Sequence, residues 1–308
     1  MPRLLLVANP SSSQFTGGSH RTVVRILSRA FSVETSWPQS PDHARRLAAE
    51  AATDGVEVVA AMGGDGVAHH VGQGLAGTST ALGLIPTGTT NVYARLVGVP
   101  EKPVPAARLL AGVSRVRTYP LLTVEGEQEG APIHRHALFA AGFGFDADVV
   151  AAAESEPYRK YRFGGLHYAR TAINTMLSAY RRQLPTAKAR VNGEGVEALA
   201  VLVQFHPVYT YFGRLQLKLG DTPSESMTVL TVDSLPARRL LRIGATLLTG
   251  ADLDKIPGFR VWREVDDLQI DATPAIAGQA DGELTGSWNQ ARVTLWTDAV
   301  RVVVPAGG

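Results

Sequence analysis

The stretch that decides the fold is "AAMGGDGVAHH", residues 60–70, in which three glycines surround an aspartate at the end of an apolar run. The apolar run predicts a buried β-strand, and the residues that follow have the spacing of a helix. Glycine lets a ligand approach the backbone closely, and a helix N-terminus offers unsatisfied N–H groups to an anion. Gly63 to Gly66 is therefore interpreted either as a tight turn or as a phosphate-binding loop.

The first 120 residues around this stretch alternate predicted strands and helices. Ser40, Pro41 and Asp42 supply an N-cap, a proline at the first helical position and an early acid, which predicts a helix over "PDHARRLAAEAAT". Such alternation predicts an α/β domain with a parallel sheet, whose ligands bind beyond the carboxyl ends of the strands. Three polar or glycine-rich loops are expected at that edge: Asn9–Gly18, Gly63–Gly66 and Pro86–Asn91.

After Pro120 the sequence changes to short strands separated by turn signals, which predicts a β-sandwich. "HRHALFAAG" is interpreted as one of these strands, and two helices are expected near 166–180 and 237–248. "GFGFDA", residues 142–147, matches G-x-G-x-x-A but lacks a surrounding βαβ unit. It is therefore not interpreted as a dinucleotide site.

Composition limits the class of protein. The chain has 308 residues, 45% of them hydrophobic and 19% charged, which is typical of a soluble protein with two domains. The absence of cysteine excludes disulfides, thiolate zinc sites and a cysteine nucleophile. Because no signal peptide or membrane span is recognisable, we expect a cytoplasmic protein. A net charge of +2 argues against a dedicated nucleic-acid binder, although basic clusters occur at 159–162, 181–182 and 238–242.

A second loop, "IPTGTTN" at residues 85–91, favours the phosphate-binding interpretation. It follows the next predicted strand and offers Thr87, Thr89, Thr90 and Asn91 as hydrogen-bonding groups. Asp65 cannot bind a phosphate directly, so a role for it there requires a bridging Mg²⁺ or a hydroxyl partner.

These motifs, in their order along the chain, resemble those of the diacylglycerol kinase catalytic domain family. That family includes bacterial lipid kinases and sphingosine and ceramide kinases. Residues 63–100 are similar to its GGDGT and P-x-GT-x-N-x-x-A-R patterns. Further similar segments follow in the family's order: "ANPSSSQFTGG", "AGFGFDADVV", "YRKYRFGGLHYARTAI" and "ADGELTG". The resemblance implies an α/β nucleotide-binding domain over 1–120, joined by the last strand at 299–308, and a β-sandwich lipid domain over 121–298, with ATP in the cleft.

The resemblance also implies roles for individual residues. Glu283 would be the general base of an ATP-dependent lipid kinase, in a catalytic set with Asp281 and Asp65, and Asp65 would organise the ATP-bound Mg²⁺. The implied nucleotide-binding residues are Asn9, Pro10, Ser11, Ser12, Ser13, Thr35, Gly63, Gly64, Asp65, Gly66, Thr87, Gly88 and Thr89. The implied partners are ATP, a lipid with a free hydroxyl and the inner face of the membrane; a homodimer is left open. "ADGEL" is also compatible with a simple hairpin, since Asp-Gly favours a type I′ turn.

The sequence departs from the family pattern at three places. Val67 replaces a threonine, Thr90-Asn91-Val92 replaces Gly-Asn-Asp, and Ser224-Glu225-Ser226 stands where the family has an Asp-Gly metal motif. A structural Mg²⁺ at Asp221 and Glu225 is therefore doubtful. Two alternatives stay open: a related kinase acting on a sphingoid base or on NAD, and a non-catalytic nucleotide- or lipid-binding protein.

Overall fold

A computed structural model describes residues 1–128, 131–154, 186–212, 215–220, 226–234, 246 and 252–307. The chain divides into two compact units, Met1–Leu121 with Thr297–Gly308, and Leu122–Trp296. Several expectations concern residues outside the described ranges. These are the helix near 166–180, nearly all of that near 237–248, the segment 158–173, the three basic clusters, Ser224, and the pair Asp221 and Glu225.

The first unit alternates strands and helices. In chain order it contains β1 (Arg3–Ala8), α1 (Gly17–Leu27), β2 (Ser32–Ser36), α2 (Pro41–Thr53), β3 (Val58–Gly63), α3 (Asp65–Leu75), β4 (Ala81–Pro86), α4 (Val92–Leu96) and α5 (Pro103–Leu110). The long strand β5 (Ser114–Gln128) begins in this unit and ends in the next.

The second unit is rich in strands. In chain order it contains β6 (Ala131–Ala137), β7 (Ala140–Gly144), α6 (Phe145–Glu154), β8 (Ala187–Val191), β9 (Glu194–Ala198), β10 (Ala200–Gln204), β11 (Thr210–Phe212), β12 (Leu215–Leu217), β13 (Met227–Val232), β14 (Phe259–Val265), β15 (Leu268–Ala280) and β16 (Glu283–Pro305). The end of β16 returns to the first unit.

Strands β2, β1, β3 and β4 of the first unit lie parallel in that order, and β16 adds a parallel strand beside β4. This arrangement confirms the predicted α/β class. Every residue of β3 and β4 is buried, as expected for central strands covered on both faces. Ala8 pairs with Met62, and Gly63 pairs with Pro86, so the three strands end at one edge of the sheet. The loops that follow them therefore share that edge.

Helix α2 begins as its sequence predicts. The Ser40 side chain accepts the N–H of His43, and Pro41 occupies the first turn, where its missing N–H is not needed. Gly64 is the N-cap of helix α3, and Asp65 is its first residue.

Pairing in the second unit is antiparallel. Strand β15 pairs with β8 through Leu268–Ala272 and with β7 through Gly278–Ala280, and its register against β16 shifts between these segments. The described residues of the unit form an apolar core, in which Phe143 packs edge-on against the fully buried Trp288. The strand-rich second half is confirmed, and its antiparallel pairing and apolar core are consistent with a β-sandwich.

Two details of the sequence interpretation were wrong. The strand expected over "HRHALFAAG" is divided into β6 and β7, because the N–H groups of Leu138 and Phe139 donate to the Asp281 carboxylate. Helices α5 and α6 were not predicted. Prolines at 103 and 105 obscured α5, and the glycines before residue 145 obscured α6, although Asp146 and Asp148 are favourable in its first turn.

Among the described helices, none is both long enough and apolar enough to cross a membrane.

Candidate functional site

The loops after β3 and β4 are in direct backbone contact. The N–H of Thr87 donates to the carbonyl of Gly63 at 2.8 Å. A Cβ placed on Gly88 would lie 2.6 Å from the Cα of Gly64, which is closer than packed atoms allow. Glycine is therefore required at position 88 because the two loops touch.

Asp65 joins these loops to helix α4. Its two carboxylate oxygens accept the N–H groups of Val92 and Tyr93, at 2.9 and 3.0 Å. The side chain therefore caps α4 from 27 residues away in sequence. Asp65 is partly exposed, and a carboxylate oxygen can accept more than one hydrogen bond. The carboxylate can therefore contact a ligand while it holds the loop.

The side chain of Asn91 completes the second loop. Its Oδ1 accepts the N–H of Gly88 at 3.0 Å, and its Nδ2 donates to the carbonyl of the same residue at 2.9 Å. The residue adopts the left-handed conformation, with φ of 50°, which asparagine tolerates better than most side chains. Asn91 thus fixes the shape of the loop that carries the predicted threonines.

The loop after β1 is attached to the same structure. The N–H of Gln14 donates to the carbonyl of Thr87 at 2.8 Å, and the hydroxyls of Ser13 and Thr89 lie 3.0 Å apart. Asn9 orders the start of this loop, since its Oδ1 accepts the N–H of Ser11. The structure thus brings together the predicted segments Asn9–Ser13, Gly63–Gly66 and Thr87–Thr89.

One buried polar atom in these loops lacks a partner. Thr87 has no exposed surface, and its hydroxyl has no hydrogen-bond partner among the described residues. Leaving such a group unsatisfied costs about 1–3 kcal/mol. A hydroxyl in this condition is what a phosphate oxygen or a bound water would satisfy, so the loops fit an oxygen-rich ligand such as ATP.

An aromatic cluster that sequence reasoning missed lies near Thr35. Thr35 pairs with Leu6 near the end of β2, and Trp37 follows two residues later with 45% of its surface exposed. The rings of Phe15 and His20 lie 6.0 and 4.8 Å from that of Trp37. Burial and the charge of neighbouring Arg21 lower the pKa of His20, so its ring is neutral at pH 7. A tryptophan directly after a strand end was the available sequence signal.

The Asp-Gly-Glu motif of the second unit forms a hairpin turn. Ala280 pairs with Glu283, and Asp281 and Gly282 between them have φ of 54° and 83°, as a type I′ turn requires. The hairpin prediction is confirmed. Glu283 is partly exposed at the start of β16.

Asp281, in contrast, is only 5% exposed. Its carboxylate accepts the N–H groups of Leu138, Phe139 and Ala140 at 2.6, 2.9 and 3.1 Å. Its own N–H donates back to the carbonyl of Ala140 at 2.9 Å. This side chain anchors the turn to the start of β7.

Residues 3–121 match the profile of the diacylglycerol kinase catalytic domain. These residues are therefore similar to the diacylglycerol kinase catalytic domain family. The chain is also 28% identical, over 295 residues, to a diacylglycerol kinase of Mycobacterium tuberculosis, covering 89% of this chain and 93% of the relative. It is 33% identical over 162 residues to a Xanthomonas campestris protein named as a YegS-like lipid kinase, covering 50% and 49% of the two chains. The resemblance inferred from the motifs is confirmed.

Solved structures share the fold. A crystal structure of a diacylglycerol kinase from Bacillus anthracis aligns with a TM-score of 0.70 at 16% identity, covering 99% of this chain and 97% of that one. Yeast NADH kinase in complex with NADH aligns with a TM-score of 0.53 at 10% identity, covering 99% and 84%. At these identities the likeness establishes the fold alone.

Two departures from the diacylglycerol kinase family pattern have local consequences. The Val67 side chain occupies the position that a Cβ on Gly63 would need, so a larger residue at 63 would collide with it. Val92 supplies its backbone N–H to Asp65, but its apolar side chain is buried and cannot replace the family's acid. The described part of this site therefore has fewer carboxylates than the family pattern.

The donor set of this site limits how Mg²⁺ could bind. Among the described residues, no group of three or more His, Cys, Asp or Glu side chains could hold a metal ion. Asp65 is the acid that lines the small cavity beside the loops, with Gly63, Gly64 and Asn91. Mg²⁺ commonly binds through one or two carboxylates together with substrate phosphates. The residues thus fit a Mg²⁺ ion that arrives with ATP.

Proposed function

We propose that the protein is an ATP- and Mg²⁺-dependent lipid kinase that transfers the γ-phosphate of ATP to a lipid hydroxyl, such as that of diacylglycerol. The observation that carries the proposal is the joined set of three strand-end loops around the unpartnered Thr87 hydroxyl. The names of the relatives support the choice of a lipid acceptor.

In this proposal the loops bind the phosphates. The Thr87 and Thr89 hydroxyls and the backbone of Gly63–Gly66 would bind phosphate oxygens, and the residues from Asn9 to Ser13 would line the nucleotide. Asp65 holds the Mg²⁺ that accompanies ATP while it keeps α4 in place. When bound, Mg²⁺ neutralises charge on the phosphates during transfer. The proposed nucleotide-binding residues are Asn9, Pro10, Ser11, Ser12, Ser13, Thr35, Gly63, Gly64, Asp65, Gly66, Thr87, Gly88 and Thr89.

Glu283 is the proposed general base. It accepts the proton of the lipid hydroxyl as the hydroxyl oxygen forms its bond to the γ-phosphorus and the bond from that phosphorus to the ADP oxygen breaks. Asp281 contributes by holding the turn, because its carboxylate is buried against three backbone N–H groups.

The aromatic cluster is the proposed contact for the nucleotide base. Phe15, His20 and Trp37 are neutral rings near the proposed nucleotide residue Thr35, and base–aromatic stacking is worth about 1–3 kcal/mol. Trp37→Ala should therefore raise the KM for ATP about tenfold and leave kcat nearly unchanged. Trp296→Ala, which removes a tryptophan of the second unit with 38% exposure, is the control.

Transfer of labelled phosphate from ATP to hydroxyl compounds tests the proposed function. The panel should contain diacylglycerol, monoacylglycerol, ceramide and sphingosine in mixed micelles, together with NAD, each with and without Mg²⁺. Labelled lipid that depends on Mg²⁺ and is lost in Glu283→Gln supports the proposal. If NAD alone is labelled, the proposed lipid kinase is rejected in favour of an NAD kinase. Yeast NADH kinase shares the fold, so this alternative is included in the panel.

A non-catalytic nucleotide- or lipid-binding protein is the second candidate, and Val92 in place of an acid favours it. It predicts ATP-induced thermal stabilisation with no phosphate transfer to any compound of the panel. The absence of both stabilisation and transfer would reject the nucleotide site itself.

We further propose that the protein works in the cytoplasm, peripheral to the inner face of the membrane, because a diacylglycerol-like substrate resides in the bilayer. Flotation with vesicles of anionic or neutral lipid measures this association. Sedimentation equilibrium of the full chain separates a monomer from a homodimer.

A further inference from the structure

A buried amide lies next to the Asp-Gly-Glu turn. Gln279, two residues before Asp281, is 4% exposed. Its Oε1 accepts the N–H of Gly282 at 2.8 Å, and its Nε2 donates to Asp146 Oδ2 at 2.8 Å and to the Tyr209 hydroxyl at 3.0 Å. Both ends of the amide are engaged, and the backbone N–H of Gly282 fixes which end is the oxygen.

The two partners of Gln279 are also bonded to each other. The Tyr209 hydroxyl donates to Asp146 Oδ2 at 2.6 Å, so one carboxylate oxygen accepts from both side chains. Asp146 lies in the first turn of α6, and Tyr209 lies just before β11, with its own N–H bonded to the carbonyl of Leu217. Burial raises the pKa of the Asp146 carboxyl, against the opposing effect of these hydrogen bonds, and raises that of the Tyr209 hydroxyl.

The glycine-rich segment before α6 makes room for this group. A Cβ on Gly142 would collide with Asp146 Oδ2 and would lie 2.8 Å from Gln279 Nε2. The sequence "GFGFDA" therefore has a structural reason in this chain: Gly142 admits the carboxylate that binds Tyr209 and Gln279. No dinucleotide is needed to explain the pattern.

The group is a second attachment of the turn, beside the one that Asp281 provides. Asp281 binds the turn to Leu138, Phe139 and Ala140, whereas Gln279 binds Gly282 to Asp146 and Tyr209. Glu283 is the next residue after Gly282, so the orientation of its backbone follows from both attachments. A buried polar cluster adds little stability over apolar residues of similar volume, but it specifies one geometry.

We propose that Asp146, Tyr209 and Gln279 are positioning residues that hold the Gly282 backbone and thereby fix the orientation of Glu283. The proposal rests on the proposed function, in which Glu283 is the general base. It adds three residues to that function, all from outside the Asp-Gly-Glu motif.

The test compares Tyr209→Phe and Gln279→Met with a matched control, Gln204→Met. Gln204 is another fully buried glutamine of the second unit, and it binds the carbonyl of Gly220 and the N–H of Leu219 at 3.1 and 3.2 Å. Amide hydrogen exchange at Gly282 should become about tenfold faster or more in the two network variants and stay unchanged in the control. This measurement needs no catalytic activity, so it decides whether the network holds the turn even if the protein is not a kinase.

Kinetics decide whether this geometry serves the reaction. In both network variants kcat, per folded molecule, should fall about tenfold to a hundredfold, with the KM for ATP unchanged. Gln279→Glu provides a rescue: its activity relative to the wild type at the same pH should recover as the pH falls. The protonated carboxyl can donate to Asp146 while accepting from Gly282, and Gln279→Met should show no recovery.

Unchanged exchange at Gly282 in both network variants would overturn the proposal. An equal loss of kcat in Gln204→Met would overturn it as well, because the effect would then be one of stability alone. If exchange at Gly282 is accelerated in the network variants but the wild-type protein transfers no phosphate, the network is retained as a support of the turn and its role toward Glu283 is rejected.

Discussion

The Gly63–Gly66 turn of the first unit and the Asp281–Glu283 turn of the second use the same residue types for different physical reasons. In each, an aspartate beside glycine binds backbone N–H groups distant in sequence: Val92 and Tyr93 for Asp65, and residues 138–140 for Asp281. Asp65 remains partly exposed, whereas Asp281 is buried. The Asp65 carboxylate can therefore contact a ligand as well as stabilise the fold, whereas the Asp281 carboxylate stabilises the fold.

The glycines differ as well. Gly88 faces the backbone of Gly64 at a distance that leaves no room for a Cβ, so contact between the loops requires it. Gly282 has φ of 83°, and a Cβ there would meet no described atom within 4 Å, so the backbone conformation requires it. Substitutions of Gly88, in the loop that contacts the Gly63–Gly66 turn, and of Gly282, in the Asp281–Glu283 turn, should therefore have effects of different kinds.

The largest effect is expected at Glu283. Glu283→Gln keeps the size of the side chain but removes the proposed base, so kcat should fall about 10²- to 10⁴-fold. Thermal unfolding should change little because the residue is partly exposed. Steady-state phosphate transfer to diacylglycerol measures the first quantity and calorimetry the second. Wild-type activity in this variant would remove Glu283 from the mechanism.

Truncation of the two aspartates should have opposite consequences: Asp281→Ala should lose more stability, and Asp65→Ala should lose more activity. Asp281→Ala strands three buried N–H groups and should lower the free energy of unfolding by about 3 kcal/mol. Asp65→Ala removes a partly exposed helix cap and should cost about 1–2 kcal/mol. Urea unfolding measures both variants.

Activity per folded molecule completes this comparison. ATP turnover should fall further in Asp65→Ala than in Asp281→Ala, because only Asp65 is proposed to contact the Mg²⁺–ATP complex. A greater loss of turnover in Asp281→Ala would show that the two aspartates have been assigned the wrong way round.

Sequence reasoning located both turns but not what these aspartates do. The common edge for the loops follows from the ends of parallel strands, and the α2 cap follows from Ser40 and Pro41, because both rules are local. Asp65 bonds to residues 27 and 28 positions away, and Asp281 to residues more than 140 positions away. Nothing in the local pattern specifies such partners.

The same limit applies to Gln279. It stands 133 positions from Asp146 and 70 from Tyr209, and the residues beside it in the sequence give no signal for either partner. A buried glutamine is recognised only when the fold shows what surrounds it. The Asp-Gly pair beside it, in contrast, predicted its hairpin correctly, because a type I′ turn depends on two adjacent residues.

The two glycines should respond differently to alanine. Gly88→Ala forces its methyl group against Gly64 and should cost about 1–3 kcal/mol, with a higher KM for ATP because the loops must separate. Gly282→Ala meets no steric contact among the described atoms, and the cost of its positive φ is about 1 kcal/mol. Its KM for ATP should equal that of the wild type. Equal KM values for the two variants would contradict the distinction between contact and conformation.

The smallest effects are expected in the pH dependence of stability, where the two units should differ in sign. Burial raises the pKa of Asp146, so its contribution to stability is complete below the unfolded-state pKa and is lost as pH rises through the higher folded-state value. Asp146→Asn cannot ionise. Its free energy of unfolding should therefore improve relative to the wild type as the pH rises from acid toward neutral.

Glu57 of the first unit provides the opposite case. The N–H of Arg3 donates to its carboxylate at 2.6 Å and lowers its pKa, so its contribution is present above the unfolded-state pKa and is lost as pH falls through the lower folded-state value. Glu57→Gln should thus be less stable than the wild type at neutral pH and equal to it in acid. Urea unfolding of both variants across this range gives two difference curves. Slopes of the same sign would show that one of the two carboxyl environments is wrongly described. Because Glu57 is fully exposed, added salt should flatten its difference curve more than that of Asp146.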